Sequence, residues 1–160
     1  MNTTQSDVIT IDDIDRRLLG ELQQDSSRPV GEIADLVGLS SSACYRRIQR
    51  LRDSKLIQRE AAQVDQRRSA WPLTVLVEIT MERLNEPLRA AFEAKIQGLA
   101  QVMQCYSVSG EADFVMLVAV ADMDDYLQFT HDVLIADENI KSFKSTFTIR
   151  CLKARTRLEF

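Results

Sequence analysis

The sequence predicts an α+β protein in two parts, a small helical domain followed by an antiparallel sheet that carries helices on one face. Two observations predict it. Apolar residues recur at helical spacing as far as Leu51 and then, from Leu73 onward, alternate along extended stretches broken by two further helical stripes. Between the two regimes lies Gln66 to Pro72, QRRSAWP, polar and basic at first and closed by a Trp-Pro pair that cannot continue a helix. With 160 residues and 45% hydrophobic content, the chain can bury one or two small cores. The expected division is 1–65, a linker at 66–72, and 73–160.

Met1 to Ile9 is polar and expected to fray. A first helix should start near Thr10 to Asp12, where acids crowd the first turn, and run through Ile14, Leu18 and Leu22 to about Asp25. DSSRP breaks it. Val30, Ile33, Ala34 and Val37 then give one apolar stripe to a short second helix. Gly38 suits the left-handed position that closes such a helix, and Ser40 is a natural N-cap for a third. In that third helix Cys44, Ile48 and Leu51 recur on a single face. Two helices meeting at a tight Gly-containing corner outline a helix-turn-helix. The alternating segment Gln58 to Asp65 is then expected to form a two-stranded wing, making the first domain a winged helix-turn-helix.

The other side of the third helix carries the chemistry. At about 100° per residue from Cys44, the residues Ser42, Tyr45, Arg46, Gln49 and Arg50 point away from the buried stripe, with Arg47 on its flank. Between Arg46 and Arg59 six Lys or Arg residues face a single acid, Asp53. Guanidinium forks match two acceptors on guanine or a phosphate, Gln brackets adenine, and Ser or Tyr donates to phosphate oxygens. Ser41, Ser42, Tyr45, Arg46, Arg47, Gln49, Arg50, Arg52 and Arg59 are therefore the candidate contacts to double-stranded DNA. A basic helix face that is merely solvated is the competing reading. Arg67 and Arg68 in the linker fit a DNA backbone and plain solvent equally well.

Beyond Pro72 the elements follow in order. Leu73, Val75, Val77, Ile79 and Met81 alternate on one strand, and Leu88, Phe92, Ile96 and Leu99 mark a helix after Pro87. Val102 to Val108 and Phe114 to Val120 read as two strands joined by the hairpin SGEAD, with Gly110 at the turn. A second helix after Asp122 carries Met123, Leu127, Thr130 and Leu134 on one side, and Phe143 to Cys151 alternate along a long last strand. The order βαββαβ, with both helices on one face of four antiparallel strands, is the ferredoxin-like arrangement. The opposite face, with Val102, Gln104, Tyr106 and Val108 along one strand, is left uncovered. A two-fold homodimer is the simplest cover, and it suits a helix-turn-helix that reads paired half-sites.

Charge and cysteines narrow the classes. The net charge is −4, yet residues 1–70 carry 11 basic and 11 acidic residues while 71–160 carry 9 and 13, so the acidic excess sits in the second part. Three cysteines without metal-ligand spacing suit reduced thiols, and neither a membrane-length apolar run nor a leader is seen, so a cytoplasmic protein is expected. For catalysis there is His131 beside Asp132, with no nucleophile motif, no Gly-rich phosphate loop and no His/Cys cluster. Neither an enzyme nor a bound cofactor or metal is expected.

The chain resembles the Lrp/AsnC, or feast/famine, bacterial transcriptional regulators from about Ile11 to Arg155. The resemblance rests on IDDIDRRLLGELQQD, IADLVGLSSSACYRRIQRL, LIQRE, VLVEI and VSGEADF in that order and spacing. Ser41 and Ala43 stand where prolines are common, Lys55 where a glycine is common, and the linker lacks the usual glycine. The resemblance implies a DNA-binding domain joined to a sensing domain, dimers and often octamers, and control by a small effector, typically an amino acid. It places the effector near the hairpin. There the backbone N–H groups of Ser109 and Gly110 suit a carboxylate, Glu111 or Asp113 suits an ammonium, and Val108 and Met123 offer an apolar wall. Without the resemblance, SGEAD reads as a hydrophilic hairpin and Met123 as a core residue. An amino-acid-binding sensor or oligomeric scaffold without specific DNA binding is the alternative.

Overall fold

The computed structural model describes residues 9–154 and 157–159. They fall into two compact units, one drawn from Met1–Ala62 and Lys153–Phe160, the other Gln63–Leu152. Apart from Ile9, the polar opening expected to fray lies outside the described residues.

The first unit is a three-helix core. Helix α1 (Asp13–Gln24) opens on a reciprocal cap: the Asp15 N–H donates to Asp12 Oδ1 at 2.8 Å, and the Asp12 N–H donates to Asp15 Oδ2 at 3.1 Å. Helix α2 (Val30–Val37) ends where Gly38 takes φ 74°, and the Leu39 N–H reaches back to the Ala34 carbonyl at 2.8 Å. Ser40 then caps α3 (Ser41–Asp53) by accepting the Ala43 N–H at 3.3 Å. Leu18, Ile33, Ala34, Val37, Cys44, Ile48 and Leu51 close the core between the three helices. Each of the larger side chains contributes about 1.5–3 kcal/mol by leaving water.

Two expectations fail at the edges of this unit. No strand forms between Asp53 and Leu73 among the described residues, so the wing is absent. Residues 58–65 are exposed throughout, and a lone two-stranded ribbon has little to hold it in water. Instead Glu60 accepts from Arg52 Nε at 3.1 Å, which ties the segment to the end of α3. The chain end also differs, for Leu158 exchanges two hydrogen bonds with the side-chain amide of Gln23, at 3.0 and 2.7 Å, and so joins α1.

The second unit is a four-stranded antiparallel sheet in the order β2-β3-β1-β4, formed by β1 (Leu73–Met81), β2 (Val102–Ser107), β3 (Phe114–Val120) and β4 (Ile140–Phe147). Helix α4 (Glu86–Gln97) starts at an Asn85 cap with Pro87 in its first turn. Helix α5 (Met123–Phe129) starts at an Asp122 cap and widens into a π-helical turn, Thr130–Ile135. Val75, Val77, Ile79 and Met81 face Phe114, Met116, Val118 and Val120 across one side of the sheet, where Phe92, Ile96, Tyr126, Phe129 and Leu134 seal them. Before β1, Gln66 Nε2 donates to the Trp71 carbonyl at 3.0 Å and to Thr74 Oγ1 at 2.7 Å, so the linker is anchored to its own unit.

Three details of this unit depart from the sequence reading. A register shift between Val102 and Gln104 turns Val102 to the helix side, where it packs on the core, leaving Gln104 and Tyr106 on the open face. Met123 and Leu127 are exposed, and the buried stripe is Tyr126, Phe129, Thr130, Val133 and Leu134. The wider π turn rotates the later residues relative to the α-helical period, so one fixed spacing cannot describe both halves. Finally, β4 ends at Phe147, and Ile149 and Cys151 lie beyond it in solvent.

Candidate nucleic-acid interface and effector site

The nine candidate DNA contacts separate into two groups on the structure. Ser41, Ser42, Tyr45 and Arg46 are exposed along the outer side of α3, and Gln49 is half-buried beside them. Among the described residues no carboxylate lies within ion-pair reach of Arg46 or Arg59. The other arginines are engaged. Arg47 Nη1 donates to Asp12 Oδ2 and to Asp15 Oδ1, both at 2.8 Å, Arg50 pairs with Asp15, and Arg52 pairs with Glu60.

The pairing has electrostatic consequences. The Asp15 N–H and then the Arg47 guanidinium hold the Asp12 carboxyl below the usual carboxylate range. Asp12 and then Asp15 push the Arg47 guanidinium up in turn. Along α3 and the segment after it, the positive charge available to a polyanion is therefore concentrated at Arg46, Lys55 and Arg59, with part of Arg50 still facing solvent. Sequence reasoning missed the acids. It read Asp12, Asp13 and Asp15 as complements to the helix dipole. The only signal of a further role was the spacing of Asp12 and Asp15, which sets both on one turn.

At the hairpin, the Val108 N–H donates to the Asp113 carbonyl at 3.0 Å, and Gly110 at φ 146° makes the turn that a side chain would resist. Val108, Ser109, Gly110 and Glu111 are exposed. Asp113 is not a free acid, because its Oδ2 accepts the Met81 N–H at 2.7 Å where the β1–β4 register shifts. Met123 stands apart from the hairpin within one chain. It follows the far end of β3, whose seven residues span about 20 Å. Beside Met81, at the hairpin end of the sheet, an open hollow of about 310 Å³ is lined by Glu82, Arg83, Leu88, Glu138 and Asn139, none of which the sequence marked as a binding residue.

His131 is exposed, with its Nδ1 3.1 Å from Asp132 Oδ1. Among the described residues no three His, Cys, Asp or Glu side chains could hold a metal ion, and no helix is long and apolar enough to cross a membrane.

A helix-turn-helix unit joined to a four-stranded α+β unit defines a two-domain class of transcriptional regulator. Residues 11–52 match the AsnC-type helix-turn-helix domain, and residues 74–158 match the Lrp/AsnC ligand binding domain. The chain belongs to the Lrp/AsnC family. An uncharacterized HTH-type transcriptional regulator of Haemophilus influenzae is 34% identical over 145 residues, covering 91% of this chain and 86% of that one. Among solved structures, an AsnC family transcriptional regulator from Agrobacterium tumefaciens superposes with a TM-score of 0.88 at 31% identity, covering 92% of this chain and 96% of its own. A transcriptional regulator from Neisseria meningitidis in complex with L-methionine also gives 0.88, at 26% identity and over 93% and 96% of the two chains.

Proposed function

We propose that the protein reads a specific duplex site through the outer stripe of α3 and that an amino acid bound at its C-terminal unit alters this binding. The observation that carries the first half is Arg46, which stands exposed beside Ser42, Tyr45 and Gln49 on α3 with no carboxylate among the described residues to neutralise it. A fork of that kind is suited to the paired acceptors of guanine in a major groove. The second half leans on the exposed hairpin Ser109 to Glu111, whose backbone donors suit a carboxylate, and on the methionine complex of the Neisseria relative. Homodimers, and octamers built from them, present paired recognition helices and cover the open sheet face.

Two measurements test the two halves separately. Titration of the protein against its own upstream DNA at low salt should give a shift that exceeds that of random duplex. A thermal-shift screen of the common amino acids should single out one or a few, since a ligand at a hundred times its dissociation constant stabilises the folded state by about 2.7 kcal/mol. One observation favours a rival: three of the six basic side chains between Arg46 and Arg59 are already paired with acids. A screen that finds an effector for a protein that shifts no DNA would establish it as a stand-alone amino-acid sensor.

A further inference from the structure

Asp15 is fully buried, although it is an acid in the first turn of a surface helix. Its Oδ1 accepts from Arg47 Nη1 at 2.8 Å, and its Oδ2 accepts from Arg50 and from the Asp12 N–H, the last at 3.1 Å. Asp12, itself locked by the Asp15 N–H, takes the second bond from Arg47. All four carboxylate and guanidinium groups thus belong to one network that runs from the start of α1 to the middle of α3.

The position of this network on α3 is what gives it a function. With the buried stripe of Cys44, Ile48 and Leu51 as origin, Arg47 and Arg50 lie on one flank about 60° apart, and Arg46 lies only about 40° beyond Arg50. The apolar stripe alone leaves the helix some freedom to roll, because dispersion contacts have no direction. A buried carboxylate that holds two guanidinium groups one turn apart on the flank removes that freedom. A polar network of this kind is costly to break, since loss of one partner strands a buried charge. Arg50 keeps half of its side chain in solvent, so donors not used by Asp15 still face outward.

We infer that Asp15 is a positioning residue for DNA recognition: it fixes the roll of α3, and with it Arg46, through Arg47 and Arg50. Arg47 is accordingly a strut and not a phosphate contact. This rests on the proposal that α3 reads DNA, and it makes a prediction opposite in sign to simple electrostatics. Removing an acid from a DNA-binding unit strengthens its attraction to any polyanion. Removing a positioning acid degrades specific binding instead.

The test compares affinity for the protein's upstream fragment with affinity for random duplex across a salt series, for the full-length wild type, Asp15→Asn and Arg47→Met. The ratio of the two affinities is the readout, because a fall in the folded fraction lowers both affinities equally and leaves the ratio unmoved. For Asp15→Asn the ratio should fall at least about tenfold, the loss expected when a base contact is misplaced, while random-duplex binding holds or tightens. Should Asp15→Asn fail to fold, Arg47→Met, a change at a partly exposed site, carries the test: the ratio should again fall, with the salt dependence of random-duplex binding unchanged. Ratios within about twofold of wild type for the folded variants overturn the inference, and so does a loss of about one unit of salt slope in Arg47→Met, which marks a phosphate contact. A wild type with no preference for its upstream fragment removes the DNA reading itself and the inference with it.

Discussion

Asp113 Oδ2 accepts the backbone N–H of Met81 at 2.7 Å, joining the end of the hairpin to the last residue of β1. The bond serves a donor that the sheet leaves free, since the β1–β4 register shifts between Thr80 and Met81. It also separates two roles that one substitution would confuse. Asp113→Ala strands a largely buried N–H and should lower the stability of the second unit by about 1–3 kcal/mol. Asp113→Asn keeps a carbonyl acceptor and should stay within about 1 kcal/mol of wild type, while removing the charge that would meet an effector ammonium. Denaturant melts of both variants, with operator affinity measured with and without effector, distinguish the roles. If Asp113→Asn responds to effector as wild type does, the ammonium site lies elsewhere.

Arginines on and after α3 should not behave alike. Arg46→Ala should cost about 1–3 kcal/mol of binding and relax specificity at one base pair of each half-site. Arg59→Ala should weaken all sequences alike and make the salt dependence shallower. Arg52 is held by Glu60, so Glu60→Gln should tighten random-duplex binding by freeing it. Competition binding against single-base operator variants checks the first expectation. Equal losses on specific and random DNA would take Arg46 out of base readout.

What the sequence made legible follows from periodicity and local caps. Asp12, Gly38, Ser40 and Asp122 announce helix ends because capping involves only neighbours in the chain, and the alternation of β1 follows from burial of every second residue. The Val102 shift, the π turn after Phe129 and the end of β4 were not legible, because each is set by the strand or core across from it. The same limit applies to the site. Exposure of Arg46 could be read from one helix, whereas the pairing of Arg47 and Arg50 with Asp15 joins residues about thirty positions apart. The bond from the Met81 N–H to Asp113 was not legible either, since it too joins residues about thirty positions apart.

Lys55 adopts φ 62° just after α3, a left-handed conformation that costs a side-chain-bearing residue about 1–2 kcal/mol. Lys55→Gly should therefore stabilise the first unit, by about 1 kcal/mol after the entropy of glycine in the unfolded chain is set against it. Gly38 takes the same kind of conformation at φ 74° with open space where a Cβ would sit, so Gly38→Ala should destabilise through backbone strain alone, by a similar amount. Thermal melts give both signs. A stabilising Gly38→Ala would contradict the argument.

The pH dependence has a defined direction. Asp12, through the Asp15 N–H and then Arg47, and Asp25, through the Ser27 hydroxyl and N–H, are both held below the ordinary carboxylate value of 3.8. A carboxyl whose folded value is depressed contributes stability that is complete above its unfolded value and is lost as pH falls through the folded one. The stability contributed by these two carboxylates should thus be level above about pH 5 and decline below 3.8. Asp12→Asn should make the decline shallower. An unchanged acid limb in Asp12→Asn would show that its pairing does not contribute.

The open face of the sheet sets the last prediction. Leu76 pairs with Leu117 across β1 and β3, and Tyr106 with Val115 across β2 and β3, all on the side that no helix of this unit covers. In the same row as Tyr106 and Val115, Glu78 on the inner strand β1 stands 3.7 Å from Lys144 on the edge strand β4, so the apolar side chains share this face with one neutralised charge pair. Self-association here should bury on the order of 1,600 Å² and yield at least a dimer at micromolar concentration. Leu117→Glu places a charge at the centre of that face. Within a monomer the carboxylate still reaches water, so the fold should survive, whereas in a dimer it is buried without a partner and costs several kcal/mol. Sedimentation should therefore show wild type as a dimer or larger and Leu117→Glu as a monomer of native stability. DNA binding by the variant should fall as well, because a monomer offers one recognition helix where half-sites about 34–36 Å apart need two. A Leu117→Glu protein that sediments like wild type would place the association surface elsewhere on the molecule.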